Sequence, residues 1–149
     1  MISLPGVLTA AGEVQRFCQQ QNWRFCIVGG VALQRWDEPR LTQDVDLTVL
    51  TGFGDQENFV DSLLTEFVPR RSDAREFALS HRVLLLQTRA GVGVDAALGA
   101  FPFEERSVKR ASEWSWAAGQ SLVTYSAEDL IFTRLLPDVT SIGAMSSAC

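Results

Sequence analysis

Trp23-Arg24-Phe25-Cys26-Ile27-Val28-Gly29-Gly30-Val31-Ala32-Leu33-Gln34-Arg35-Trp36, followed by Asp44-Val45-Asp46-Leu47-Thr48-Val49-Leu50, is the stretch that decides the fold. Residues 23–28 form a short apolar run of strand type, stopped by Gly29-Gly30. Val31 to Trp36 reads as a short helix, broken ahead of Pro39 because proline lacks an amide donor and restricts the residue before it. Val45 to Leu50 alternates and is rich in β-branched residues, the pattern of a second strand. Side chains two apart on a strand point the same way, so Asp44 and Asp46 face one place. Like charges that close repel each other. A hard divalent cation with oxygen ligands relieves the repulsion.

Working outward, Leu8, Ala11, Val14, Phe17 and Cys18 recur at helical spacing and predict a first helix ending near Gln21-Asn22. Thr51-Gly52-Phe53-Gly54 turns the chain, and a helix is expected from about Asp55 to Phe67. Arg82 to Thr88 and Val92 to Leu98 predict an antiparallel hairpin around Arg89-Ala90-Gly91. Phe101 to Arg110 reads as a short helix, and Glu113 to Tyr125 as one or two edge strands. Trp114 and Trp116, two apart there, are expected to pack the sheet. Ser126-Ala127-Glu128-Asp129 has the spacing of a capping box and starts a helix through Leu135, which Pro137 ends. No element is assigned between Val68 and His81. Residues 1–136 are expected to form the core and 137–149, small and polar, a disordered tail. The order predicts an α/β (α+β) domain, a mixed sheet flanked by helices.

Composition narrows the chemistry. With 149 residues, 46% of them hydrophobic, the chain has room for one domain with an ordinary core. Its net charge of −5 provides no overall basic footprint for nucleic acid. Local basic clusters, Arg70-Arg71 and Arg106 with Lys109-Arg110, are diluted by carboxylates. The single histidine, His81, excludes an HExxH zinc site and is expected to be a half-exposed surface residue. The single lysine, Lys109, lacks the glycines of a phosphate-cradling GxxxxGK[ST] loop. Cys18, Cys26 and Cys149 fit neither a disulfide framework nor a zinc site, and the first two are expected to be buried thiols in a reducing cytoplasm. No secretory signal is expected from Met1-Ile2-Ser3-Leu4-Pro5, and no run is apolar enough to span a bilayer. A cytoplasmic protein is the expectation.

Two further features bear on the carboxylate pair. Gly29-Gly30 closes a strand and opens a helix, where backbone N–H groups can approach phosphate oxygens. Asp95 is a charge in the otherwise apolar strand Val92 to Leu98, costly to bury without a partner. If that strand lies beside Val45 to Leu50, the three aspartates converge. Gly-Gly, then Asp-x-Asp, then an isolated Asp on a later strand describes a two-metal nucleotide site.

Ile27-Val28-Gly29-Gly30-Val31-Ala32-Leu33 and Arg40-Leu41-Thr42-Gln43-Asp44-Val45-Asp46-Leu47 together resemble the DNA polymerase beta-type nucleotidyltransferase superfamily. Their Arg-x-Thr-x-Asp-x-Asp form is most similar to the bacterial abortive-infection and toxin-antitoxin nucleotidyltransferases and their minimal relatives. The resemblance implies a nucleotidyltransferase-like mixed sheet and two Mg²⁺ ions held by Asp44, Asp46 and Asp95, with Asp95 also acting as general base. It implies nucleotide binding by Gly29, Gly30, Arg40, Thr42 and Arg134. The expected reaction transfers NMP from an NTP to an acceptor hydroxyl on tRNA, a protein or a cationic small molecule such as an aminoglycoside. A toxin of a toxin-antitoxin pair is one expected role, and a homodimer is an expected assembly.

The sequence departs from that pattern in two ways. Val31 follows Gly30 where several enzyme branches have Ser, and the stretch after Pro137 does not read as the family's further helices. The alternative expectation is therefore a truncated, non-catalytic module of the same fold that binds nucleotide or a protein.

Overall fold

The computed structural model describes residues 4–36 and 42–129. Among these, α1 (Leu4–Gln20) leads into β1 (Phe25–Val28), α2 (Gly29–Trp36) and β2 (Asp44–Leu50). Then come α3 (Gln56–Glu66), β3 (Val68–Pro69), α4 (Ala74–His81), and the hairpin β4 (Val83–Gln87) and β5 (Gly93–Gly99). The hairpin is followed by α5 (Pro102–Arg110), β6 (Ser112–Ala117) and β7 (Gln120–Thr124). All seven strands join one sheet in the order β3-β4-β5-β2-β1-β7-β6. The sheet is mixed: β2 pairs parallel with β5 and β1 with β7, while the β1/β2, β3/β4, β4/β5 and β6/β7 pairs are antiparallel.

Alternation divides the sheet into two faces. Val45, Leu47 and Val49 of β2 point one way with Phe25 and Ile27 of β1 and Val94, Ala96 and Leu98 of β5, all buried. Against them pack Val7, Leu8, Ala11, Val14 and Cys18 of α1, Val60 and Leu63 of α3, and Ala74 and Ala78 of α4. Burying a side chain of this size contributes roughly 1.5–3 kcal/mol, so this face supplies most of the driving force for folding. The other face carries a smaller cluster of Cys26, Val28, Ala32 and Tyr125, with Val108 and Ala111 around α5 packed against it. Part of it is free of apolar cover, and the three aspartates lie there.

Local chemistry explains the helix ends. Pro102 stands in the first turn of α5, where its missing N–H would have had no partner. The amides of Ala100 and Phe101 both donate to the Glu104 carboxylate at 3.0 Å. At the C-terminus of α4, Arg82 adopts a left-handed conformation (φ 59°) and its amide closes on the carbonyl of Ala78 at 2.8 Å. Ser126 accepts from the amide of Asp129 and donates to its carboxylate, the cap expected for the last helix.

Two elements have no counterpart in the sequence reading. β3 is two residues long with both side chains exposed, so it has no alternation to detect. α4 buries only Ala74, Phe77 and Ala78 and has no side-chain cap. Elsewhere the predicted elements are observed with ends shifted by a few residues, except that the helix expected through Leu135 falls, beyond residue 129, outside the described residues. Trp114 and Trp116 pack against the larger core. β7 lies inside the sheet between β1 and β6, so only β6 of that pair is an edge strand. The expected tail lies outside the described residues. No helix among those described is long and apolar enough to cross a membrane.

Candidate active site

Asp44 opens β2, exposed, and Asp46 follows half-buried on the same face. Across the parallel seam Asp46 is the register partner of Asp95, and Asp44 that of Gly93. Register partners share a face, so adjacency of β2 and β5 brings the three carboxylates together as the strand alternation required.

Three glycines make the approach possible. Gly29 has φ 64°, a left-handed conformation that disfavours a side chain, and a Cβ there would run into the Asp46 carboxylate. A Cβ at Gly93 would meet the carboxylate of Asp44 and the guanidinium of Arg70. A Cβ at Gly30 would meet the hydroxyl of Thr42. Gly29, Gly30, Thr42, Asp44, Asp46 and Asp95 are thus one cluster at the start of α2 and β2. Arg40 and Arg134 lie outside the described residues.

Concentrated negative charge alters the acidity of the site. Burial, the neighbouring charges of Asp95 and Asp44, and a side-chain hydrogen bond with Asp95 push Asp46 up to about 7, against the opposing pull of Arg70. This is how closely spaced carboxylates respond when they cannot all ionise freely.

Arg70 is a site residue that the sequence reading did not identify. Its Nη2 donates to Asp95 Oδ1 in an ion pair with both side chains partly exposed. The sequence showed only an Arg70-Arg71 cluster, and the structure separates the two. Arg71 turns away to pair with Asp73 at 2.7 Å and to cover the ring of Phe77. No local pattern distinguishes them, because Arg70 reaches Asp95 through strand pairing. His81 is half-buried and stacked on Phe77.

A hard divalent cation suits this donor set in chemistry: three carboxylates on one face, with side-chain-free glycines where the carboxylates need space. As the side chains stand, no group of three or more His, Cys, Asp or Glu among the described residues is placed to hold a metal ion. Arg70 provides the positive charge beside Asp95.

No family model and no curated protein matches the chain. Solved structures do. An antigenic nucleotidyltransferase-like protein from Paracoccidioides brasiliensis superposes with a TM-score of 0.60 at 17% identity, over 92% of this chain and 68% of that one. The lincosamide antibiotic adenylyltransferase LnuA, lincomycin-bound, gives 0.54 at 9% identity, over 80% of each chain. The antibiotic-resistance factor ANT(2'')-Ia gives 0.53 at 14%, over 89% of this chain and 74% of that one. At these identities the likeness is one of architecture, and it establishes that this chain has a nucleotidyltransferase-like fold.

Proposed function

We propose that the chain is a Mg²⁺-dependent nucleotidyltransferase that transfers NMP from an NTP to an acceptor hydroxyl and releases pyrophosphate. The observation that carries this reading is the pairing of Asp46 with Asp95 across β2 and β5, beside Asp44 and next to the Gly29-Gly30 start of α2. The nucleotidyltransferase-like fold supports it.

In this reading Asp44, Asp46 and Asp95 would hold Mg²⁺, two ions when fully loaded. Bound there, the metal would neutralise the donor phosphates and the charge that develops as the bond to the leaving pyrophosphate breaks. The amides at the start of α2 orient phosphate oxygens, which Gly29 and Gly30 leave approachable. Thr42 stands against Gly30 to position the triphosphate, with Arg40 assigned the same task from its place in the motif and Arg134 from the resemblance of residues 126–131 to the family's next helix. The Asp95 carboxylate receives the acceptor hydroxyl's proton as that oxygen attacks the α-phosphorus.

Two structural neighbours are an antibiotic adenylyltransferase and an antibiotic-resistance factor. They favour a small hydroxylated acceptor, whereas the Arg-x-Thr-x-Asp-x-Asp resemblance favours tRNA or a protein and a toxin role. Labelled NTPs offered with Mg²⁺ to tRNA, protein, an aminoglycoside and a lincosamide distinguish these acceptors. Asp44→Asn with Asp46→Asn is expected to abolish transfer while circular dichroism shows the fold intact. Full transfer by that variant would refute the assignment. Calorimetric titration with ATP, with and without Mg²⁺, separates an enzyme from a non-catalytic module, whose binding would be metal-independent or absent. The proposed homodimer is checked by size-exclusion chromatography.

A further inference from the structure

One lateral row of the sheet contains an unusual charge arrangement. Val28, Asp46, Asp95 and Leu85 are successive register partners across β1, β2, β5 and β4. The amide of Arg70, just beyond β3, donates to the carbonyl of Leu85 at 3.0 Å, which anchors Arg70 beside the end of this row. From there its side chain spans to Asp95, with Nη2 on Oδ1. Its Nη1 lies next to Gly93, whose missing side chain also leaves space for the Asp44 carboxylate. The guanidinium is therefore bonded to Asp95 and stands near Gly93, where Asp44 also approaches, and its charge favours the ionised form of Asp46. The side chain is 28% exposed, so it has room to withdraw.

We infer that Arg70 is a tethered counter-cation that competes with the divalent ion for Asp95. It keeps the carboxylate row compact in the cation-free protein and must release Asp95 for a cation to use that ligand. Arg70 is a positioning residue in this scheme: it acts through Asp95 and thereby sets the concentration of cation at which the site fills. The inference rests on the proposed cation-dependent function. A single guanidinium can satisfy a carboxylate by a directed hydrogen bond, while a divalent ion offers higher charge but must shed water to bind. Competition between the two makes cation affinity a property of the strand pairing that places Arg70, as well as of the aspartates.

The test is titration of the full chain with Mn²⁺, followed by electron paramagnetic resonance of the free ion. Arg70→Gln is expected to bind Mn²⁺ about tenfold more tightly than the parent chain. Arg70→Lys, which retains the charge, should stay within about threefold of the parent. In EDTA, Arg70→Gln should melt at a lower temperature than the parent, and added Mn²⁺ should raise its melting temperature by more. Equal or weaker Mn²⁺ binding by Arg70→Gln, with the parent binding normally, overturns the competition and leaves the cation site standing. Absence of Mn²⁺ binding by both chains overturns the cation-dependent function and the competition with it. Tighter binding by Arg70→Lys equal to that of Arg70→Gln also refutes the proposal, since charge would then play no part.

Discussion

Asp46 and Asp95 stand directly opposite each other on the parallel strands β2 and β5, and Arg70 holds the second of them. The pairing puts two carboxylates on one face; burial first, and then the charges of Asp95 and Asp44, push Asp46 up to about 7.

The first prediction concerns pH. With Asp46 at about 7 in the folded protein and near the ordinary 3.8 when unfolded, the folded state retains a proton that the unfolded chain releases. The stabilisation from that proton is complete below about pH 4 and is lost as pH rises through 7. In EDTA the parent chain should therefore lose more stability between about pH 4 and pH 7 than Asp46→Asn does. Melting curves for the two proteins check this; parallel curves would show that Asp46 does not titrate in this range.

A second prediction concerns the Gly-Gly turn. Gly29→Ala forces a side chain into a left-handed position, which costs roughly 1–2 kcal/mol, and pushes a methyl group at the Asp46 carboxylate. Urea unfolding should register a loss at least that large. Nucleotide binding should fall even at temperatures where the variant is folded.

Gly30 is opposed by Thr42, so their substitutions should be coupled. Gly30→Ala alone is expected to cost about 1–3 kcal/mol, since its methyl group meets the Thr42 hydroxyl. Adding Thr42→Ala removes that oxygen and should recover part of the loss, a coupling of about 0.5–1 kcal/mol in a double-mutant cycle. Strict additivity in denaturant titrations would place the two residues apart.

Leu47 tests the division between the two faces. It is fully buried on the helix-covered face of β2, next in sequence to Asp46. Leu47→Ala should lower stability by about 2–5 kcal/mol as read by urea unfolding. Below its melting range the variant should keep the Mn²⁺ affinity of the parent, because its side chain points away from the carboxylates.

The two described cysteines should be inert in the folded protein. Cys18 and Cys26 are buried and free, and burial pushes the Cys18 thiol up to about 12 and raises that of Cys26 as well. Little thiolate is then present at pH 8 to react. Iodoacetamide followed by peptide mass spectrometry should label neither residue in the native protein and both in denaturant.

Most of the framework was readable from pattern, because α1, β2, β4 and β5 favour one side and repeat accordingly, while β1, buried on both sides, is a short apolar run. The carboxylate pair was readable for the same reason: a strand's alternation sends Asp44 and Asp46 to one face whatever surrounds them. β3 and α4 were not, since a two-residue strand with no buried side chain and a short helix burying three residues leave too little pattern. Arg70 belongs to this unread segment, and Arg71 beside it looks identical in sequence.

Sequence alone therefore determined what is local: which segments are strands or helices, where the chain must turn at Gly29-Gly30, and which charges share a strand face. Tertiary structure decided what depends on pairing between distant segments. It set β5 parallel to β2 in the register that opposes Asp95 to Asp46, and it anchored Arg70 to β4 within reach of both. The physical reason is that alternation fixes the direction of a side chain relative to its own strand. Register and neighbour are chosen by the burial of the whole sheet, a balance that no single segment contains.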